Sequence, residues 1–123
     1  MFRVIVAGSR DFNNYKWLAV NLDRLLKNIT DDIEIVCGMA RGADRLGAQY
    51  AKEKGYHIKY MPADWGTYGN SAGYRRNVQM AEYADALVAF WDGHSPGTRH
   101  MIEIAKAKKL DIRIKRYAVK HKT

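Results

Sequence analysis

Short apolar runs alternate with longer amphipathic stretches along the whole chain. Five of the runs have the length of a β-strand, and they lie at Phe2–Ala7, Ile33–Cys37, His57–Met61, Ala86–Trp91 and Ile112–Tyr117. Between them, apolar residues recur at helical spacing in four stretches, which span Leu18–Leu26, Leu46–Ala51, Val78–Ala84 and Met101–Ala105. The pattern predicts five strands and four helices in strict alternation.

Regular alternation of strands and helices is typical of an α/β fold with parallel strands joined by right-handed crossovers. The fourth run, residues 86–91, is apolar at every position, as expected for a central strand that is covered by helices on both faces. The fifth run alternates apolar and charged residues, which suits an edge strand. We therefore expect a five-stranded parallel sheet in the order 3-2-1-4-5.

The length of 123 residues fits one domain and is too short for two ordinary ones. With 47% hydrophobic and 28% charged residues, the composition is that of a globular protein and argues against disorder. We expect one domain over residues 1–117 and a basic tail over residues 118–123.

No apolar run approaches the ~20 residues that a membrane span needs. The single cysteine, Cys37, cannot form an internal disulfide, which predicts a cytoplasmic protein.

Positive charge is concentrated at the carboxyl end of the chain. Of the formal net charge of +8, residues 106–123 contribute +7, from eight Lys or Arg residues and one acid, Asp111. Such a segment could attract nucleic acid by neutralising phosphates. It could equally be a solubilising tail, and the composition leaves both alternatives open.

The loops that follow the predicted strands are rich in glycine and polar residues, and they span Gly8–Phe12, Gly38–Asp44, Pro62–Gly66 and Asp92–Thr98. In the order 3-2-1-4-5 the sheet reverses its winding between strands 1 and 4, and open α/β sheets bind ligands beyond the carboxyl ends of the strands at such a reversal. Glycine lets the backbone approach a ligand closely, and a following helix presents free N–H groups at its positive end. These loops therefore predict a cradle for an anion.

The fourth loop carries the strongest signal for a phosphate. Ser95 is a favourable N-cap, Pro96 suits the first helical position, and Gly97 and Thr98 offer backbone N–H groups and a hydroxyl. An ordinary helix start would explain Ser95 and Pro96, but not the glycines on both sides. Guanidinium groups bind phosphate with paired hydrogen bonds. Six arginines lie in or just after the loops: Arg10, Arg41, Arg45, Arg75, Arg76 and Arg99.

Neither a cofactor nor a metal is predicted. The first loop does not match the GxGxxG pattern of dinucleotide sites, and no GxxxxGK[ST] pattern occurs anywhere in the chain. His94 and His100 lack a convincing third metal ligand.

Cys37 is most simply a small core residue. Trp65 and Trp91 follow or end strands near the predicted site, where either could stack on a base.

In their order and spacing the loop motifs resemble the SLOG superfamily, which includes Smf/DprA-like and LOG-like proteins. The closest match is its YspA- and YpsA-related branch, often bacterial or phage-encoded. The motifs are Gly8-Ser9-Arg10, Gly38…Gly42-Ala43-Asp44, Ala63-Asp64-Trp65, Ala72-Gly73-Tyr74-Arg75-Arg76-Asn77…Met80, Ala84–Phe90 and Ser95-Pro96-Gly97-Thr98. The resemblance implies a Rossmann-like three-layer α/β/α sandwich that binds nucleotides or nucleotide-derived molecules. It also implies a homodimer or higher homo-oligomer.

The loops and the resemblance together define the candidate ligand-binding residues. Asp44 is expected either to cap the second helix or to bind a ribose hydroxyl, and Trp65 to pack on the base, while most of the others hold phosphate. The set is Gly8, Ser9, Arg10, Gly38, Arg41, Gly42, Asp44, Trp65, Arg76, Asn77, Ser95, Gly97 and Thr98.

Some relatives are implied to hydrolyse the N-glycosidic bond of nucleoside monophosphates. Arg76 and Met80 match an arginine and a methionine of those enzymes, but Met101 stands where they carry a glutamate. Glu103 is rotated from that position by roughly 200° about a helix and should face away. Another carboxylate would have to stabilise the oxocarbenium-like transition state. The candidate catalytic residues are then Arg76, Asp64 and Asp92.

Three functions follow from the sequence. The first is binding of a phosphorylated nucleotide or nucleotide-derived small molecule, for sensing or sequestration, with a role in phage biology or antiphage defence. The second is phosphoribohydrolase-like cleavage of nucleoside monophosphates. The third is binding of single-stranded nucleic acid through the basic C-terminus, in the manner of DNA-processing relatives.

Overall fold

All five predicted strands form one parallel sheet in the computed structural model, which describes residues 1–118. The strands are β1 (Phe2–Gly8), β2 (Ile33–Cys37), β3 (His57–Tyr60), β4 (Ala86–Trp91) and β5 (Asp111–Arg116). Their order is β3-β2-β1-β4-β5. The α/β fold class and the predicted order 3-2-1-4-5 are therefore confirmed, although β5 begins and ends one residue earlier than the apolar pattern predicts.

The central strand β1 aligns the carboxyl ends of its two neighbours. Val4 pairs with Ile35 of β2 on one side and with Ala86 of β4 on the other. At the far end, Gly8 pairs with Phe90. Because all the strands are parallel, the loops that follow them leave the sheet at the same edge.

Helices cover both faces of the sheet. They are α1 (Tyr15–Leu26), α2 (Ala43–Lys54), α3 (Trp65–Tyr68), α4 (Ala72–Tyr83) and α5 (Pro96–Ala107). The short α3 and the 3-10 turn Gly69–Ser71 that follows it are not predicted by the apolar pattern. Neither of them has a buried residue that periodicity could reveal. Instead, Asp64 caps α3, since its Oδ1 accepts a hydrogen bond from the Thr67 N–H at 3.1 Å.

Each face of the sheet has its own hydrophobic core, because successive residues of a strand point to opposite faces. Val4 and Val6 belong to the core under α1 and α2, whereas Ile5 and Ala7 belong to the core under α4 and α5. The first core contains Leu18, Leu22, Leu26 and Tyr50, and the second contains Met80, Ala81, Met101 and Ala105. The result is a three-layer α/β/α sandwich.

The predicted boundary between domain and tail falls at the end of the described chain. Tyr117 follows β5, and its N–H still bonds to the carbonyl oxygen of Trp91 at 3.2 Å. Of the predicted tail, residues 119–123 lie outside the described residues. Over residues 1–118, none of the helices combines the length and the apolar character that a membrane crossing requires.

Candidate functional site

A cavity of about 550 Å³ lies at the carboxyl edge of the sheet. The loops after β1 and β4 form one side of it, and the region from α3 to α5 forms the other. Its polar lining comes from Ser9, Arg10, Asp11, Asp44, Asn70, Arg76, Asn77, Asp92, Ser95 and Thr98. This is the edge at which the reversal of strand order places ligands in sheets of this type.

The buried Ser9 ties the loop after β1 to the loop after β4. Its backbone N–H donates to the Phe90 carbonyl oxygen at 3.1 Å. Its Oγ accepts a hydrogen bond from the Asp92 N–H at 3.2 Å and lies 3.0 Å from the Ser95 hydroxyl oxygen. The predicted phosphate ligand Ser9 thus also fixes the two loops relative to each other.

Asp92 organises the turn that leads into α5. Its Oδ1 accepts from the N–H groups of His94 and Ser95, each at 2.8 Å, and its Oδ2 accepts from the Ser95 hydroxyl at 2.9 Å. Burial raises the pKa of Asp92, but hydrogen bonds from Ser95, His94 and Ser9 outweigh burial and lower the pKa to about 2. Asp92 is therefore a fixed carboxylate at neutral pH rather than a proton acceptor.

The N-terminus of α5 opens on the cavity. Ser95 occupies the N-cap position, but its hydroxyl bonds to Ser9 and Asp92 and makes no capping bond to the helix. Pro96 has no N–H to satisfy. Over residues 1–118, no hydrogen bond is made by the backbone N–H groups of Gly97 and Thr98, both of which line the cavity. Two donors at the positive end of a helix dipole are therefore available to an anion.

Arg76 is a half-buried cation of the cavity. Its Nη1 donates to the Gly38 carbonyl oxygen at 2.5 Å, and its Nε donates to Asn77 Oδ1 at 3.1 Å. Its Nη2 makes no hydrogen bond within the described part of the chain. Burial lowers the pKa of Arg76, while Asp44 opposes that effect. An arginine that is held on one side and free on the other is arranged to bind an oxyanion.

Asn77 connects α4 to the start of α5. Its Nδ2 donates to the Gly97 carbonyl oxygen at 3.3 Å and lies 3.1 Å from His100 Nδ1. Because its Oδ1 accepts from Arg76, one buried amide positions both the arginine and the helix N-terminus. Asn77 therefore sets the distance between the two groups that could bind an anion.

Asp44 lies in the first turn of α2 and is only 5% exposed. Its Oδ2 accepts a hydrogen bond from the Ala40 N–H at 3.4 Å. Burial raises the pKa of Asp44 to about 6, although Arg76 and backbone N–H donors partly oppose the shift. The sequence leaves open whether Asp44 caps the helix or binds a ribose. The structure places it inside the helix, with its carboxyl at the turn that holds Arg76.

Exposed aromatic side chains form the outer wall of the cavity. Trp65 is 53% exposed and Tyr74 is 46% exposed, and both line the cavity. A Cβ added at Gly73 would lie 3.5 Å from the Trp65 ring, so the indole lies over the start of α4. Aromatic faces of this kind can stack on a planar base.

Four of the candidate site residues do not line the cavity. Gly38 is buried behind Arg76, where a Cβ would lie 2.3 Å from Arg76 Nη1. Gly42 has a φ of +79° at the start of α2, and a Cβ there would lie 2.2 Å from the Ser9 carbonyl oxygen. Arg41 is exposed, and Asp64 is the N-cap of α3. Gly38 and Gly42 therefore leave space for a neighbour each, the Arg76 guanidinium and the Ser9 carbonyl group.

Of the six arginines in the predicted loops, only Arg10 and Arg76 line the cavity. Arg75 stacks on Tyr68 at 4.4 Å, and Arg99 lies 5.6 Å from the centre of the Trp91 ring.

The structure also adds cavity residues that the motifs do not single out as ligand contacts: Asp11, Asn70, Tyr74, Met80 and Met101. The Arg76–Met80 spacing points to Met80. No signal in the sequence points to Asn70.

The fold and the cavity define the class of protein: a Rossmann-like α/β domain with a polar cavity at the carboxyl edge of a parallel sheet. The chain belongs to the YspA, cpYpsA-related SLOG family, whose sequence model matches residues 2–68. It is 33% identical over 112 residues to the Gene 61 protein of Mycobacterium phage D29, an alignment that covers 86% of this chain and 90% of that protein.

Two solved structures share the fold. The crystal structure of TM1055, a structural genomics target, has a TM-score of 0.67 at 21% identity over 91% of this chain and 72% of that one. DNA processing protein A (DprA) from Streptococcus pneumoniae has a TM-score of 0.71 at 15% identity over 92% of this chain. The match covers 49% of the DprA chain, so this chain corresponds to about half of that protein.

Proposed function

We propose that the protein binds a phosphorylated nucleotide or nucleotide-derived small molecule in the cavity at the carboxyl edge of the sheet. The observation that carries the proposal is the convergence of Arg76 with the unpaired N–H groups of Gly97 and Thr98 on one cavity. Cationic and N–H donors that converge in a partly buried hollow bind oxyanions strongly.

The shape of the cavity supports a ligand that is larger than phosphate alone. Its volume of about 550 Å³ lies within the range of ~300–1,000 Å³ that is usual for small-molecule sites. In our proposal the phosphate binds at the N-terminus of α5 and the base packs against Trp65. Family membership and the DprA-like fold also favour a nucleotide-related ligand. Binding of this kind would allow the protein to sense or sequester a nucleotide signal.

The proposal is tested by calorimetry of nucleoside mono- and diphosphates, ADP-ribose and cyclic nucleotides with the wild type and Gly97→Val. A Cβ at Gly97 meets nothing within 4 Å, so the added side chain begins in open space. A helical Cβ tilts toward the N-terminus of its helix, where the phosphate would lie. We expect Kd to rise about tenfold or more, and a tenfold rise corresponds to a loss of about 1.4 kcal/mol in binding free energy.

The matched control is Gly66→Ala, because a Cβ there would also meet little, the nearest atom being Asp64 Oδ1 at 3.8 Å, and Gly66 does not line the cavity. Affinity in this variant should equal that of the wild type. If no compound in the panel binds the wild type, or if Gly97→Val binds as well as Gly66→Ala, the proposal is wrong.

Hydrolysis of the N-glycosidic bond is a second candidate, and the ionised Asp92 at the cavity favours it. A fixed carboxylate can stabilise an oxocarbenium-like transition state. Against this, Met101 lines the cavity at the position where hydrolases of the family are expected to carry glutamate. Chromatography of nucleotides after incubation separates the candidates. Release of free base, lost in a folded Asp92→Asn variant, would assign hydrolysis.

Binding of single-stranded nucleic acid is a third candidate. Trp91 lies near two guanidinium groups, those of Arg99 at 5.6 Å and Arg116 at 5.5 Å from its ring centre. Cations beside an aromatic ring are typical of single-strand surfaces. This candidate predicts that affinity for an oligonucleotide falls steeply with salt and is lost when Lys115 and Arg116 are neutralised and residues 118–123 are removed.

A further inference from the structure

The cavity is lined by a buried acid, Asp44, and a half-buried cation, Arg76. Both are attached to the same turn, since Arg76 Nη1 donates to the Gly38 carbonyl oxygen and the Ala40 N–H donates to Asp44 Oδ2. The two charges do not form a direct ion pair within 4.0 Å among residues 1–118. They therefore interact across the turn, in a region of low dielectric constant where charges influence each other strongly.

We propose that Asp44 is the counter-charge and positioning residue of Arg76, and that the Asp44 carboxylate takes up one proton from solvent when an anion binds at Arg76. The proposal rests on the proposed function, because it names the protonation that accompanies anion binding at the same cavity. The physical reason is charge balance. In the free protein the Asp44 carboxylate balances Arg76, but a bound anion takes over that role and leaves the carboxylate beside a like charge, which favours its neutral form.

Asp44 also lines a second, smaller cavity. This cavity of about 330 Å³ lies on the side of β3 and is lined as well by Arg45 and Lys52 of the same helix. A ligand in the main cavity would therefore leave this second cavity free.

Other ionisable groups around Asp44 must be separated from it. These are Arg76 of α4, Cys37 and Tyr60 at the ends of β2 and β3, Arg10, Asp11 and Asp92 of the loops after β1 and β4, and Arg45 and Lys52 of α2. Burial raises the pKa of Cys37 to about 12, and Asp92 has a pKa of about 2, so neither changes charge near neutral pH. His100 bonds to Asn77 and needs its own control, since histidine titrates in this range.

The first experiment needs no ligand. The Asp44 carboxyl is titrated by NMR in the wild type, in Arg76→Lys, which keeps the cation, and in Arg76→Gln, which removes it. We expect a midpoint of about 6 in the wild type, a similar value with lysine and a higher value with glutamine. Equal midpoints in all three proteins would overturn the link between Asp44 and Arg76, whether or not an anion binds.

The second experiment measures protons taken up when ADP-ribose binds, by calorimetry in buffers of different ionisation enthalpy. Its pyrophosphate does not titrate near neutral pH, whereas a phosphate monoester has a pKa of about 6. We expect proton uptake, and binding about tenfold tighter at about pH 6 than at about pH 8. The reason is that each unit by which binding raises the pKa of Asp44 changes the affinity by about tenfold across this range. Asp44→Asn should abolish both effects, so that its affinity for ADP-ribose no longer differs between about pH 6 and about pH 8.

Two variants serve as controls for the second experiment. Asp31→Asn removes an exposed carboxylate at the opposite end of the sheet, and His100→Gln removes the nearby imidazole. Both should retain the proton uptake. Uptake that persists in Asp44→Asn, or that disappears in His100→Gln, would overturn the assignment to Asp44. If the NMR titration behaves as expected but no anion binds at any pH, the proposed function and the anion-linked uptake both fail, while the Asp44–Arg76 link stands.

Discussion

At the scale of single residues, the position of Arg76 depends on the absence of a side chain at Gly38. A Cβ at Gly38 would lie 2.3 Å from Arg76 Nη1 and 2.7 Å from its Cζ, so Gly38→Ala must displace the guanidinium. We predict a loss of about 1–3 kcal/mol in the free energy of unfolding in urea, the usual cost of overpacking, together with weaker anion binding. Gly97→Ala should unfold at the same urea concentration as the wild type or a higher one. Equal stability of both variants would contradict the arrangement.

Asp44 makes stability depend on pH. Its folded pKa of about 6 lies above the value of about 3.9 in an unfolded chain, so the folded protein holds the proton more tightly. This stabilisation is fully present below about pH 4 and is lost as the pH rises through about 6. The total is about 3 kcal/mol, at 1.36 kcal/mol per pKa unit. Urea unfolding from about pH 4 to 8 should show this decline relative to Asp44→Asn. Parallel profiles would contradict it.

At the scale of secondary-structure elements, α4 and α5 form the site only if they keep their relative position. Asn77→Ala removes the amide that joins Arg76 to the carbonyl of Gly97 and leaves buried polar groups without a partner. We predict a loss of about 1–3 kcal/mol in unfolding free energy and weaker anion binding. The control is Gln79→Ala, an exposed position on the same helix, which should change neither. An unchanged affinity in a destabilised Asn77→Ala would show that the site does not need this contact.

The elements also show how far the sequence leads. Five strands, four long helices and the strand order follow from the apolar pattern, because each element buries a periodic face. The short α3 (Trp65–Tyr68) buries none of its residues, so only its cap could reveal it. The contact between Arg76 and Gly38 joins residues 38 positions apart and depends on how α4 meets the loop after β2 in space. A sequence predicts which residues reach this edge of the sheet, but not which face the cavity.

At the scale of the whole molecule, ligand binding should appear as added stability. A ligand that binds only the folded state, at a hundredfold excess over its Kd, raises the free energy of unfolding by about 2.7 kcal/mol. For a domain of this size the melting temperature should rise by roughly 10 °C. Thermal melts of the wild type and Gly97→Val with the same nucleotide check this. Equal shifts in the two proteins would place binding elsewhere. The predicted homo-oligomer is checked separately by light scattering.

The central claim is that an anion binds where the N-terminus of α5 meets Arg76, and backbone amide NMR tests it most directly. In a titration with the tightest nucleotide of the panel, we predict the largest shifts at the N–H groups of Gly97 and Thr98, with smaller ones around Gly38. Shifts confined to β5 and the residues after it, with Gly97 and Thr98 unmoved, would contradict the account.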